Sequence, residues 1–371
     1  MRMLKEAEWR AHLWPEWEII GRIGEGSYGS VYRLKRQDIG GTYFAAMKVI
    51  TIHPEGYVPS EYYEEGTQTA ERHIRTAEDY ARELALLESL KGHTNIVSYE
   101  DHKIVPSQEG GFYILLRMEL LTPLRDYMET GERTEKDIAV LGMDISRALI
   151  LCEKLNIIHR DIKPENIFIN RFGDFKLGDF GIAKQLDSEN AMIRSRKGTL
   201  FYMAPEMYYR RAYDSRVDLY ALGLVLYRYL NGGRPPFIGA DQKIESYQQL
   251  ESANLRRLRG ETLPPPQSAS DRMTRIILKA CAYHPAQRYR KAEEMLLDLT
   301  RLTERQAESA APISEAAAKL SRKVQQLMEV FETPDRAPVP DAMVPKRVSA
   351  PVKRENEKPG GKDYFKKAGD L

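Results

Sequence analysis

The octet His159-Arg160-Asp161-Ile162-Lys163-Pro164-Glu165-Asn166 constrains this chain more than any other stretch. It gathers a carboxylate, two cations and a metal-capable amide into one short segment. Asp161 can accept a proton from a hydroxyl. Lys163 can steady a phosphate, and Asn166 can offer an oxygen to a divalent cation. Asp179-Phe180-Gly181 follows, and its aspartate can be a second metal ligand. A lone loop aspartate is more often a turn residue. Weight comes only from several such groups standing in one order.

Two motifs precede the octet. Gly24-Glu25-Gly26-Ser27-Tyr28-Gly29-Ser30-Val31 reads as the turn of a β-hairpin spanning Trp17 to Arg36. Glycines let backbone amides approach phosphate oxygens, because no Cβ stands in the way. The spacing alone is weak evidence, since dinucleotide-binding folds share it, but there a helix follows and here a strand does. Lys48 lies in the strand-forming run Thr42 to Ile50, where a lysine must find an anion or snorkel. Ala204-Pro205-Glu206 comes after the octet.

In this order the motifs form the signature set of protein kinases, and residues 14 to 300 resemble a eukaryotic-type serine/threonine protein kinase. The wording of 227–237 and 276–290 is closer to bacterial members. The resemblance implies an α+β, two-lobed fold. The small lobe would be a five-stranded antiparallel sheet with one helix, and the large lobe mainly helical. Expected domains are a Trp-rich extension over 1–16, the small lobe over 17–121 and the large lobe over 122–303. A helical extension over 304–332 and a disordered tail over 333–371 follow.

The resemblance also assigns roles. Asp161 would be the base, Lys163 the γ-phosphate contact, and Asn166 and Asp179 the Mg²⁺ ligands. Lys48 would contact the α- and β-phosphates and pair with Glu83, for which Asp79 and Glu88 compete. ATP would lie among Ile23, Gly24, Glu25, Gly26, Ser27, Tyr28, Gly29, Val31, Ala46, Lys48, Met118, Glu119, Leu121 and Phe168. Within that set Val31 would cover the adenine and Phe168 underlie it. Met118 would flank the back pocket, and the backbone of Glu119 and Leu121 would bond the base. Asp218 would hold the His159-Arg160 turn, and Glu206 would pair with Arg288. His159, Phe180, Leu87 and Tyr99 would form a packed column. Lysine two after the base points to serine/threonine acceptors. Arg160 suits pairing with a phosphate in the 186–197 segment. Ser195 is the first candidate phosphosite, with Thr199 and Ser188 as alternatives, and Tyr28 is a separate candidate.

Composition narrows the rest. The 371 residues are 42% hydrophobic and 30% charged, with a formal net charge of +2. That near-balance gives no overall pull towards nucleic acid or anionic membrane. No apolar run approaches the ~18 residues of a membrane span. Cys152 and Cys281 are the only cysteines and make no metal-binding spacing, which suits reduced thiols in a cytoplasmic protein. The three tryptophans fall within 1–17 and suggest packing against the body of the protein. Residues 51–72 read as an inserted loop, Ile96 to Ile104 and Phe112 to Leu121 as strands, Thr76 to Leu90 and Thr134 to Leu155 as helices, and Ile313 to Phe331 as an amphipathic helix. Expected partners are protein substrates and a second copy of the chain for autophosphorylation. A pseudokinase scaffold is the rival reading. Such chains lack one of the lysine, base or metal residues, whereas Lys48, Asp161, Asn166 and Asp179 all stand here. A small-molecule phosphotransferase ranks third, because those lack Ala204-Pro205-Glu206.

Overall fold

The computed structural model describes residues 2–26, 29–52, 84–108, 111–180, 199–239, 241–244 and 246–304. Ser27, Tyr28, Asp79, Glu83, Ser188, Ser195, residues 53–83, the expected helix over 313–331 and the expected tail over 333–371 lie outside the described residues.

The first lobe is the expected antiparallel sheet. Its strands are β1 (Glu18–Gly26), β2 (Gly29–Asp38), β3 (Gly41–Ile52), β4 (Tyr99–Pro106) and β5 (Phe112–Glu119), in the order β1-β2-β3-β5-β4. In β3, Ala45, Met47 and Val49 face one core cluster, while Ile50 and Ile52 join another with Leu84. Both faces are therefore covered, which is why this run lacks a clean apolar–polar alternation. Leu84 lies on a helix whose described part is 84–89 (α2).

Three boundaries differ from expectation. Thr51 and Ile52 belong to β3, paired with Tyr113 and Phe112, rather than to the inserted loop. The strand expected from Ile96 starts at Tyr99, because the preceding backbone is tied to the other lobe. There the Val97 amide donates to the Leu177 carbonyl and the Leu177 amide to the Asn95 carbonyl, both at 2.9 Å. The strand expected to reach Leu121 stops at Glu119, since Thr122–Pro123 (β6) pairs instead with Ile169 and Phe168.

Helix α1 (Arg2–Arg10) and the chain up to β1 cover the outer sheet face. Trp9, Trp14 and Trp17 are buried against Tyr32, Leu34, Ala45, Met47, Val49 and Leu115. An indole buried this way contributes on the order of 4 kcal/mol at most. Polar contacts fix the register: the Trp14 indole N–H donates to Asp101 Oδ2 (2.6 Å), and the Arg117 guanidinium lies over Trp14 (4.7 Å) and Trp17 (5.2 Å).

Burial pushes the Asp101 carboxyl up, but the Trp14 indole N–H, the His102 amide and Arg117 outweigh it and hold the group below its ordinary value. The folded state thus favours the ionised form. Its contribution is complete above the unfolded value of 3.8 and is lost as pH falls through the lower folded value. Near-UV circular dichroism should show the extension loosening in acid. In Asp101→Asn that pH-dependent step should be missing, with a weaker signal already at neutral pH. An unchanged acid profile in the variant would sink this account.

The second lobe is built on helices. These are α3 (Leu124–Glu129), α4 (Glu135–Lys154), α5 (Pro205–Tyr208), α6 (Arg216–Tyr229), α7 (Tyr247–Leu258), α8 (Asp271–Ala280) and α9 (292–304). Two short strands, β7 (Ile167–Ile169) and β8 (Phe175–Leu177), complete a small sheet with β6. Thr134 caps α4 through a reciprocal bond with Asp137. Asn156 follows the C-cap with φ of 55°, a left-handed conformation that asparagine tolerates. Eleven successive residues of α6, Val217 to Tyr227, are buried. A Cβ on Gly223 would stand 2.6 Å from Cys281 Sγ and 2.9 Å from Ala280 Cβ, so glycine lets α6 and α8 pack closely.

Candidate active site

Local register sets one wall. Val31 pairs with Gly24 on one side and Lys48 on the other, and Ala46 pairs with Met118. The glycine hairpin, Val31, Lys48 and the end of β5 therefore lie across one stretch of sheet. Gly29 is required by packing: a Cβ there would stand 1.9 Å from the Val49 carbonyl oxygen. That is a strand-to-strand reason for a glycine first read as a phosphate cradle. Ile23 is exposed, Glu25 forms an ion pair with Arg22 (2.6 Å), and Leu121 is half-buried between the lobes' strands.

The octet forms the opposite wall, and buried polar contacts hold it. Asp218 accepts from the amides of His159 (2.7 Å) and Arg160 (2.8 Å), as expected. Burial pushes the Asp218 carboxyl up, with His159, Arg160 and the two amides pulling it down. His159 Nδ1 faces the Asp161 amide (3.3 Å) and Nε2 the Gly178 carbonyl (3.0 Å). An accepting Nδ1 leaves Nε2 to carry the hydrogen, so this network assigns the tautomer. The ring also meets Phe180 edge-on at 4.8 Å. Leu87 packs on the same core cluster as Phe180, while the Tyr99 hydroxyl bonds His102.

The chemistry-bearing side chains converge. Asp161 is buried, and its Oδ2 receives Asn166 Nδ2 (2.9 Å) and Lys163 Nζ (3.0 Å). Asn166 Nδ2 also donates to the Asp161 carbonyl (2.7 Å), which turns the amide oxygen away from Asp161. Lys48 Nζ stands 2.5 Å from Asp179 Oδ1, so a residue of β3 meets one from the large lobe across the cleft. Asp179 has φ of 58° and Arg160 of 66°, two left-handed non-glycine residues at one site. Phe168 is half-buried on β7 and pairs with Pro123. Thr199 begins a short 3₁₀ turn, Thr199–Phe201. Arg288 grips Glu206 with two bonds, of 2.6 and 2.8 Å.

At the end of β5 the Glu119 amide donates to the Ser98 carbonyl (3.1 Å), so that group is already used inside the small lobe. Its side chain pairs with Lys176 (2.7 Å) and accepts from the Ser98 amide (2.6 Å). Sequence reading missed this inter-lobe pair, because nothing in the spacing of Glu119 and Lys176 marks them as neighbours. The cysteines are free and buried, with the Cys281 thiol pushed up to about 12 by burial.

The donor set suits nucleotide-bound magnesium. Among the described residues no three His, Cys, Asp or Glu side chains cluster into a protein-built cage. One carboxylate and one amide oxygen fit an ion that takes its other ligands from phosphate and water. Lys48 supplies a cation beside that carboxylate.

A strand-built lobe over a helical one, with lysine, metal-type carboxylate and oriented aspartate meeting between them, defines a protein kinase fold. The chain belongs to the protein kinase domain family, which matches residues 17–298. A probable serine/threonine-protein kinase of Corynebacterium efficiens is 36% identical over 210 residues, 54% of this chain and 30% of that protein. Serine/threonine-protein kinase PknB of Mycolicibacterium smegmatis is 34% identical over 237 residues, 62% of this chain and 36% of that protein. Serine/threonine-protein kinase TIO of Arabidopsis thaliana is 31% identical over 230 residues, 60% of this chain and 15% of that protein. The chain thus spans well under half the length of each of these relatives. Among the described residues no helix is long and apolar enough to cross a membrane.

Proposed function

We propose that this chain is a serine/threonine protein kinase that transfers the γ-phosphoryl group of ATP to protein hydroxyls. One observation carries the reading: Lys48 meets Asp179 at 2.5 Å while Asn166 and Lys163 both orient the Asp161 carboxylate. Asp161 accepts the proton of the serine or threonine hydroxyl. Lys163 holds the transferring phosphate, and Lys48 the α- and β-phosphates, with Glu83 as a further partner of Lys48. Asn166 and Asp179 hold Mg²⁺. Bound together, ATP and Mg²⁺ supply the transferable group and cancel its charge. Val31, Ala46 and Ile23 cover the adenine from the small lobe, and Phe168 supports it from the large one. Met118 flanks the back pocket. The Glu119 carbonyl and the Leu121 backbone bond the base, since the Glu119 amide is committed to Ser98.

Regulation follows from charge. Phosphate on Ser195, Thr199 or Ser188 pairs with Arg160, delivered within a homodimer. The buried free thiols suit the cytoplasm. Relatives named as serine/threonine-protein kinases support the acceptor class.

Radiolabel transfer from ATP to casein tests the reading. The intact chain should label casein in a Mg²⁺-dependent way, and Asp161→Ala should remove at least about 99% of that rate. Equal labelling by both would remove Asp161 as the base, and none by the intact chain would favour the pseudokinase scaffold.

A further inference from the structure

Arg257, near the end of α7, is only 3% exposed. It makes five hydrogen bonds: Nε and Nη2 to Asn254 Oδ1 (3.2 and 2.5 Å), Nη1 to the Met203 carbonyl and the Tyr220 hydroxyl (both 2.7 Å), and Nη2 to the Leu200 carbonyl (3.1 Å). Every one of these acceptors is neutral. Arg288, whose guanidinium also lies near the Tyr220 ring, has the Glu206 carboxylate instead. A guanidinium cannot shed its charge, and a buried charge is costly unless its hydrogen bonds are met. A purely packing role in α7 would be served better by an apolar side chain.

What the charge gains is a grip on one stretch of backbone. Leu200 and Met203 bracket the segment between the Thr199 turn and α5. Tyr202, Met203 and Ala204 line a narrow cleft together with Asp161, Ile162 and Asp218. Met203, whose carbonyl Arg257 holds, is therefore part of the wall of a small pocket that Asp161 also lines.

We infer that Arg257 is a positioning residue for the protein acceptor: it fixes the 200–203 backbone on which the acceptor chain rests, and touches neither nucleotide nor reacting atoms. The inference rests on the kinase reading above. It predicts a split between the two substrates. Loss of the guanidinium leaves the Leu200 and Met203 carbonyls without their donor, so the wall relaxes and acceptor affinity falls. The nucleotide groups on β3 and after β8 are not held by Arg257.

The test uses the full chain, casein as acceptor and Mg²⁺-ATP. In Arg257→Met the KM for casein should rise at least about tenfold, with the KM for ATP within about twofold of the parent. Arg257→Lys restores the charge with fewer donors in another geometry, so its casein KM should fall between the two. Thermal shift by Mg²⁺-ATP checks that each variant folds. Should Arg257→Met fail to fold, Arg257→Lys alone decides, with a raised casein KM at unchanged ATP KM as the supporting result. An unchanged casein KM in the folded variants overturns the inference, and so does a parallel rise in both KM values. An intact chain that labels no casein instead removes the kinase reading itself.

Discussion

Asp179→Ala should lower phosphoryl transfer at least about a hundredfold, the scale of removing one preorganised electrostatic group. The side chain has two duties at once. Its Oδ1 stands 2.5 Å from Lys48 Nζ, and in the proposed reaction the carboxylate would hold Mg²⁺ together with Asn166. Alanine also fits poorly in the left-handed backbone at φ 58°, which asparagine and aspartate tolerate. Asp179→Asn separates these effects, because it keeps an oxygen and the backbone preference but drops the charge. It should transfer slowly and need more Mg²⁺ for half-maximal rate. Initial rates across a Mg²⁺ titration read both variants. Wild-type rates in Asp179→Ala would remove Asp179 from the metal site.

The second large effect concerns stability. Arg288→Met should cost about 3–5 kcal/mol, the range for breaking a buried ion pair from one side. The Arg288 side chain is 0% exposed and that of Glu206 7%, so neither can turn to water. Arg288 also donates to the carbonyls of Ala282 (2.7 Å) and Tyr283 (3.0 Å), tying the loop after α8 to the start of α5. Pairing Arg288→Met with Glu206→Leu should recover part of the loss, because no lone carboxylate then remains buried. The carbonyls stay unmet, so recovery is incomplete. Urea denaturation of the two variants gives the comparison. A single variant as stable as the parent would show that the pair contributes nothing to the fold.

The order of short motifs made the centre legible. Asp161, Asn166, Asp179 and Lys48 stand in motifs visible in the sequence, and the structure brings Asn166 to Asp161 and Lys48 to Asp179. That Asp218, inside an apolar helix, needs donors was legible from its setting; its partners and the Glu206–Arg288 pair came from the family resemblance. Contacts set by packing were not legible. Trp14 with Asp101, Glu119 with Lys176 and Arg257 with the Leu200 carbonyl join residues far apart in the chain and carry no spacing signal. The early end of β5 was hidden too, because Leu120 and Leu121 look like strand until β6 takes the next two residues into the other lobe.

All three tryptophans of the chain sit on the outer face of one lobe. Selectively excited tryptophan emission is therefore a local probe. A shift of its maximum to the red would follow solvent reaching that face, while the helical lobe could open without changing the colour. Differences between an emission-detected melt and one followed by helical signal would then measure how far the two halves unfold independently.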